Sequence, residues 1–180
     1  DAAPLVDIAF EVTLPEDTPP LAPVRVAGNV ASLGAAFADL AGGVSASAGR
    51  MPTMVRVDAT HALLLTRLHA GTDLRYKYSL GDGLWNAERD ANGAFVTRQL
   101  IVPEQGPILQ DSVTSWRSPA YAGLTFRASV PANTPPSDSL SIQFSPFAWF
   151  EPLPMWKDAD GTWTFVLNGP LDFGGTLAYR

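Results

Sequence analysis

Residues 8–20 read IAFEVTLPEDTPP and residues 124–136 read LTFRASVPANTPP, in register at Phe10 and Phe126, at Pro15 and Pro131, and at Thr18-Pro19-Pro20 and Thr134-Pro135-Pro136. A sequence that repeats itself was built from a copied structural unit, so the chain reads as two modules. Within each copy the apolar residues fall at every second place: Ile8, Phe10, Val12 and Leu14 in the first, and Leu124, Phe126, Ala128 and Val130 in the second. That period of two is the mark of a strand buried on one face. A proline and a polar, proline-rich turn end each strand, since proline cannot donate to a central ladder.

The correspondence extends further along the chain. Pro52–Leu65 (PTMVRVDATHALLL) aligns without gaps to Pro154–Leu167 (PMWKDADGTWTFVL), which sets His61 against Trp163, and Gly71–Lys77 (GTDLRYK) aligns to Gly174–Arg180 (GGTLAYR). We divide the 180 residues into a first module, 1–117, and a second, truncated module, 118–180, joined near Trp116-Arg117-Ser118-Pro119. The short join implies modules that touch or are held at a restricted angle. Further strands are expected at 24–27, 54–58, 61–68, 74–80, 96–102, 140–144 and 162–167, punctuated by Gly81-Asp82-Gly83, Asn92-Gly93 and Asp160-Gly161. Short, evenly spaced strands of this kind predict an all-β fold, two tandem immunoglobulin-like antiparallel β-sandwiches of which the second is incomplete. Only 33–49 (LGAAFADLAGGVSASAG) departs from the pattern, as a helical turn followed by a small-residue loop.

Composition narrows the functional classes. The formal charge is −6, the pI is near 4.7 and the basic residues are scattered, so nothing tracks a nucleic-acid backbone. No apolar run is long enough to insert into a bilayer. Cysteine is absent and the only histidines are His61 and His69. Nucleophile-elbow, zinc-protease and phosphate-loop motifs are missing, and no pair of carboxylates stands out for glycoside hydrolysis. Asp158-Ala159-Asp160-Gly161 begins like a calcium loop without the distal Glu, and reads as a hairpin turn. We therefore expect neither catalysis nor a cofactor. The chain opens at Asp1 without a charged, apolar leader, which suits a mature secreted protein or a trimmed chain.

Three segments of the first module, AGNVASLG at 27–34, GTDLRYKYSLGDGLW at 71–85 and QDSVTSWR at 110–117, occur in the order and spacing of a known pattern. The module resembles the starch-binding domains called family 20 carbohydrate-binding modules over nearly all of residues 6–117. The resemblance implies an immunoglobulin-like sandwich that binds α-glucans without catalysis, as an accessory to a bacterial glycosidase or surface protein. It implies that Trp85 stacks on a sugar ring and that Lys77 donates to hydroxyl groups; Glu88 and Asn92, on the run after Trp85 where the chain departs from the family's pattern, are further candidate hydroxyl partners. Stacking works because the C–H face of a pyranose meets the electronegative face of an aromatic ring. One departure is that Ala36, beside Phe37, stands where the family carries a second stacking Trp.

The second module carries its aromatics elsewhere: FSPFAWFEPLPMW at 144–156 holds five aromatic residues in thirteen positions. So dense a cluster marks a contact site, with Trp149 and Trp156 as candidates, while Trp163, alternating with Phe165 and Leu167, belongs to the core. The expected partner is a polysaccharide or oligosaccharide, and also a downstream catalytic domain or another copy of the chain. A structural reading competes with it. The modules then act as spacers or assembly units, and the aromatic segment and an open edge of the second module dock on another domain or subunit.

Overall fold

The computed structural model describes residues 3–36, 48–81, 85–145, 148–169 and 176–180. Phe37, Asp82, Gly83, Phe147, Gly174 and Gly175, on which parts of the sequence reading rest, lie outside the described residues.

Strand β1 (Leu5–Thr13) buries Val6, Ile8, Phe10 and Val12 and turns Asp7, Glu11 and Thr13 outward, as its alternation requires. It pairs antiparallel with β4 (His61–His69), Phe10 facing Leu64 and Val12 facing Ala62, and β4 pairs in turn with β3 (Val55–Arg56). The opposite edge of β1 takes β7 (Ile108–Ser112) in parallel. This strand was not resolved as an element by the sequence pattern. Gly106 permits the approach, because a Cβ there would fall 1.7 Å from the Asp7 carbonyl oxygen.

A second sheet, β2 (Arg25–Gly28), β5 (Asp73–Ser79) and β6 (Arg98–Ile101), covers the first. The Phe10 and Tyr76 rings meet edge to face at 5.2 Å between the two layers. The chain crosses from β2 to β3 through 3-10 turns at Ala31–Leu33 and Ala48–Arg50; the expected helical turn is the first of these, slightly earlier than the pattern placed it.

The second half of the chain is built from shorter strands. These are β8 (Leu124–Ala128), β9 (Ser141–Ile142), β10 (Phe144–Ser145), β11 (Leu153–Pro154), β12 (Trp156–Lys157), β13 (Trp163–Leu167) and β14 (Ala178–Tyr179). The run expected as one strand at 140–144 breaks at Gln143, so that β9 pairs with β11 while β10 pairs with β14. Pairings of the first half recur here. Gly28 opposes Tyr76 as Phe144 opposes Tyr179. Val55 opposes Leu63 as Trp156 opposes Thr164. The Met54 amide donates to the Val24 carbonyl, and the Met155 amide to the Leu140 carbonyl, both at 2.8 Å.

One correspondence read from the sequence is corrected by a single residue. Val12 opposes Ala62 and Ala128 opposes Trp163, so Trp163 stands in the place of Ala62 rather than His61. A shift by one residue exchanges the faces of a strand. His61 accordingly points to solvent and bonds Asp58 at 2.9 Å, while Trp163 is buried. Asp158–Gly161 closes a hairpin, with the Gly161 amide donating to Asp158 and Gly161 at a φ of 85°.

The two halves touch through packed side chains. Their buried residues form one continuous apolar cluster that runs from Val6 to Leu167. Its polar seam is Asn86, whose amide donates to the Val166 carbonyl at 2.8 Å and whose oxygen accepts from the backbone and side-chain N–H groups of Asn168 at 3.1 and 2.8 Å. Truncation of Asn86 leaves buried Asn168 donors without their acceptor. Asn86→Ala is therefore expected to lower unfolding stability by about 2 kcal/mol in urea titration.

Candidate functional site

The six residues singled out in the sequence separate into buried and exposed groups. Trp85 is 2% exposed and lies between the two halves, its ring 5.5 Å from Phe144 and 5.9 Å from Phe150. It is an internal packing element, and no sugar ring can reach it in this arrangement. Trp156 is likewise covered, lying 5.3 Å from Phe165.

Lys77 is fully buried although it sits on β5, because that strand is covered on both faces: Tyr76 and Tyr78 look into the core and Lys77 lies beneath Phe95. Its ammonium is 4.8 Å from the Phe95 ring centre and has no hydrogen-bond partner among the described residues. Burial lowers its pKa to about 8, against a smaller upward pull from Glu88. Glu88 is equally enclosed. Its Oε1 accepts from the Tyr78 amide at 2.8 Å and from Arg98, and burial pushes its carboxyl upward against the opposing charge of Arg98.

Arg98 continues to Asp111 on β7 at 3.2 Å, and Asp111 Oδ2 accepts from the hydroxyls of Tyr76 and Tyr78 at 2.9 and 2.7 Å. Burial, first, and then the charge of Asp111 raise both tyrosine pKa values. Lys77 and Glu88 are therefore members of, or neighbours to, an internal network that ties β5, β6 and β7 together. They are not hydroxyl partners for a ligand. Arg98 and Asp111 were missed in the sequence, where residues 73–80 alternate without a break and give no sign that the Lys77 face is covered. Asn92 is exposed, at a turn in which its amide donates to Asp90 at 2.9 Å.

Trp149 differs from the other five, being an aromatic platform in solvent with 45% of its surface exposed. The loop carrying it is tied back to β10 by the Phe150 amide, which donates to Phe144 at 3.0 Å, and by the Gln143 side-chain amide, which donates to the Phe150 carbonyl at 2.6 Å. The Gln143 oxygen accepts from Arg180 Nε at 2.8 Å. Paired backbone bonds between Gln143 and Arg180, at 2.8 and 3.0 Å, hold this arginine on the end of the β10–β14 ladder. Its guanidinium then lies 4.3 Å from the Trp149 ring centre.

The result is an indole stacked on a planar cation whose remaining N–H groups can donate to hydroxyls. Arg180 was legible in the sequence as the counterpart of Lys77 in the repeated GTDLRYK and GGTLAYR segments. Its contact with Trp149 was not, since it depends on the folding of the intervening loop. A neighbouring groove of about 660 Å³ runs along β8 and is lined by Phe126, Arg127, Ile142, Tyr179 and Arg180 among others.

No protein-family model matches the chain, and no curated protein matches it. Among solved structures, a glycoside hydrolase family 15 glucoamylase from Hypocrea jecorina is similar over 63% of this chain, with 23% identity and a TM-score of 0.47. The Bacillus anthracis TIE protein is similar over 97% of the chain, with 12% identity and a TM-score of 0.30. The chain spans 18% of the glucoamylase and 28% of the TIE protein.

Proposed function

We infer that this chain is a non-catalytic carbohydrate-binding unit, two β-sandwich modules of a secreted bacterial protein that recognise an α-glucan or a related polysaccharide beside a catalytic domain. The observation that carries the reading is Trp149, an exposed indole held rigid by Arg180 and Gln143. Such a platform receives the C–H face of a pyranose, while the guanidinium N–H groups at its border donate to ring hydroxyls. The resemblance of the first module to starch-binding domains supports the ligand class. The proposed site is therefore on the second half of the chain, around Trp149, Arg180 and Gln143, and not at Trp85.

Titration of tryptophan fluorescence with maltooligosaccharides tests this reading. A saturable change is expected, and Trp149→Ala should weaken binding by about 2 kcal/mol, some thirtyfold. An unchanged affinity in Trp149→Ala, or no response to any α-glucan, defeats it. The assembly reading is favoured by a separate observation, the edge of β8, which carries no partner strand among the described residues.

A further inference from the structure

The outward face of the first sheet breaks the rule that its other face obeys. A sheet packed on a core turns polar residues to water on its second side. β1 does so with Asp7, Glu11 and Thr13, but β4 (HALLLTRLH) turns Leu63 and Leu65 to that same side. Val55 on β3, Val57 just beyond it and Ile108 on β7 share the face, and with Leu65 they are each between 65% and 70% exposed. So many large apolar side chains gathered on one face mark a contact surface.

The face has relief and a charge pattern as well as apolar area. Ala9 lies in one row between Ile108 and Leu65, so two long side chains flank a hollow. In the next row Asp7 lies opposite Arg67, whose Nε donates to the carboxylate at 2.6 Å, with both side chains exposed.

A second copy of the chain is complementary to both features. Turned about a two-fold axis that runs along the strands between β1 and β4, it sets β1 of each chain over β4 of the other. Leu65 of each chain then enters the hollow at Ala9 of the other, and Asp7 of each meets Arg67 of the other. The two ion pairs become a square of alternating sign, so every charged group that loses water gains a second opposite partner. An axis across the strands, through the Asp7 row or the Ala9 row, sets Asp7 against Asp7 or against Glu11, and like charges exclude it. The lengthwise axis also bisects the order β3-β4-β1-β7, so all four strands are covered.

We propose that the outward face of this sheet is the interface of a symmetric dimer of the chain, with Leu65 seated at Ala9 and Asp7 paired with Arg67 across the two-fold axis. At about 4.8 Å between strands and about 3.4 Å per residue, the face measures roughly 20 by 30 Å. Two such faces together bury about 1,100 Å², the low end for specific interfaces, which sets the expected dissociation constant in the micromolar range. The proposal is independent of sugar binding at Trp149.

Sedimentation equilibrium of the full chain across the micromolar range tests it, with a reversible monomer–dimer equilibrium as the expected result. Leu65→Lys should weaken the dimer by about thirtyfold or more. Asp7→Arg makes the charged row wholly cationic and Arg67→Asp makes it wholly anionic, so each variant alone should self-associate at least about a hundredfold more weakly. Mixed in equal amounts, these two variants should pair with each other, because every Arg then faces an Asp of the other chain. All three positions are exposed, so the substitutions leave the core intact, and recovery of the mixed dimer shows that both charge variants are folded.

A chain that stays monomeric throughout overturns the proposal, as does self-association indifferent to Leu65→Lys. Failure of the two charge variants to pair, with each of them folded by circular dichroism, overturns the two-fold arrangement and the proposal with it. Trp149→Ala should leave the dimer unchanged; its loss in that variant would move the contact to the second half of the chain and overturn the proposal equally.

Discussion

Trp85→Ala should lose about 3–5 kcal/mol of unfolding stability, the range for deleting a buried tryptophan without full collapse of the cavity. Trp85 is almost completely enclosed and touches Phe144 and Phe150 from the other half of the chain, so its removal opens the contact between the halves as well as the core of the first. The effect is therefore larger than stability alone would register. Urea unfolding followed by tryptophan fluorescence and by far-ultraviolet circular dichroism should coincide for the native chain and separate for the variant, as the halves cease to unfold together. A loss below about 1 kcal/mol, typical of surface positions, would show that Trp85 is not the packing element described. Trp149→Ala offers the control: its ring is exposed, so it should leave stability within about 0.5 kcal/mol of the native value.

Lys77 should produce a rise of stability in alkaline solution. Its pKa is lowered from 10.5 to about 8, chiefly by burial. Between those values the unfolded chain holds a proton that the folded chain has released, so unfolding stability increases with pH across the window and is lost again as pH falls through 8. The full difference amounts to about 3 kcal/mol at 1.36 kcal/mol per unit. Tyr76 and Tyr78, pushed upward by burial and by Asp111, stay protonated in the folded chain and ionise in the unfolded one from about pH 10, which lowers stability equally with and without Lys77 and cancels when the native chain is compared with a Lys77 variant. Lys77→Met keeps an unbranched apolar side chain beneath Phe95 and removes the titration. The expected outcome is that the native chain gains about 3 kcal/mol relative to the variant between pH 8 and 10.5. Parallel curves for the two proteins would place the ammonium in water and overturn its assignment to the interior.

Both predictions concern residues whose chemical character was plain in the sequence and whose surroundings were not. Trp85 follows a glycine turn, where a side chain can stand out on a loop. It is instead covered by Phe144 and Phe150, about sixty residues further along, and no local pattern can announce a cover drawn from so far away. Lys77 lies on a strand whose neighbours are tyrosines. Whether its own face meets water depends on where Phe95 and Arg89 come to rest. Trp163 illustrates a smaller error of the same kind. A gapless alignment set it against His61, and the ladder sets it against the place of Ala62, because pairing is decided by which faces can be buried together.

What could be read from residues alone is the scaffold. Alternation in 5–14 and 124–130, the proline turns that follow, and the glycine and asparagine punctuation specify strands and their ends, since each rests on backbone geometry within a few residues. The all-β class, the first strand of each half and the turns at Pro15 and Pro131 follow from that local chemistry, and the amides of Thr18 and Thr134 close those turns at 3.0 and 2.9 Å. Exposure is a different quantity. It is settled by the sum of everything that packs over a residue, and here it moved the proposed sugar site from Trp85 to Trp149 and left Tyr179 open where Tyr76 is closed. Two tyrosines equivalent in sequence and in ladder register thus differ in accessibility. The physical reason is that β7 lies over one of them, and no strand among the described residues lies over the other.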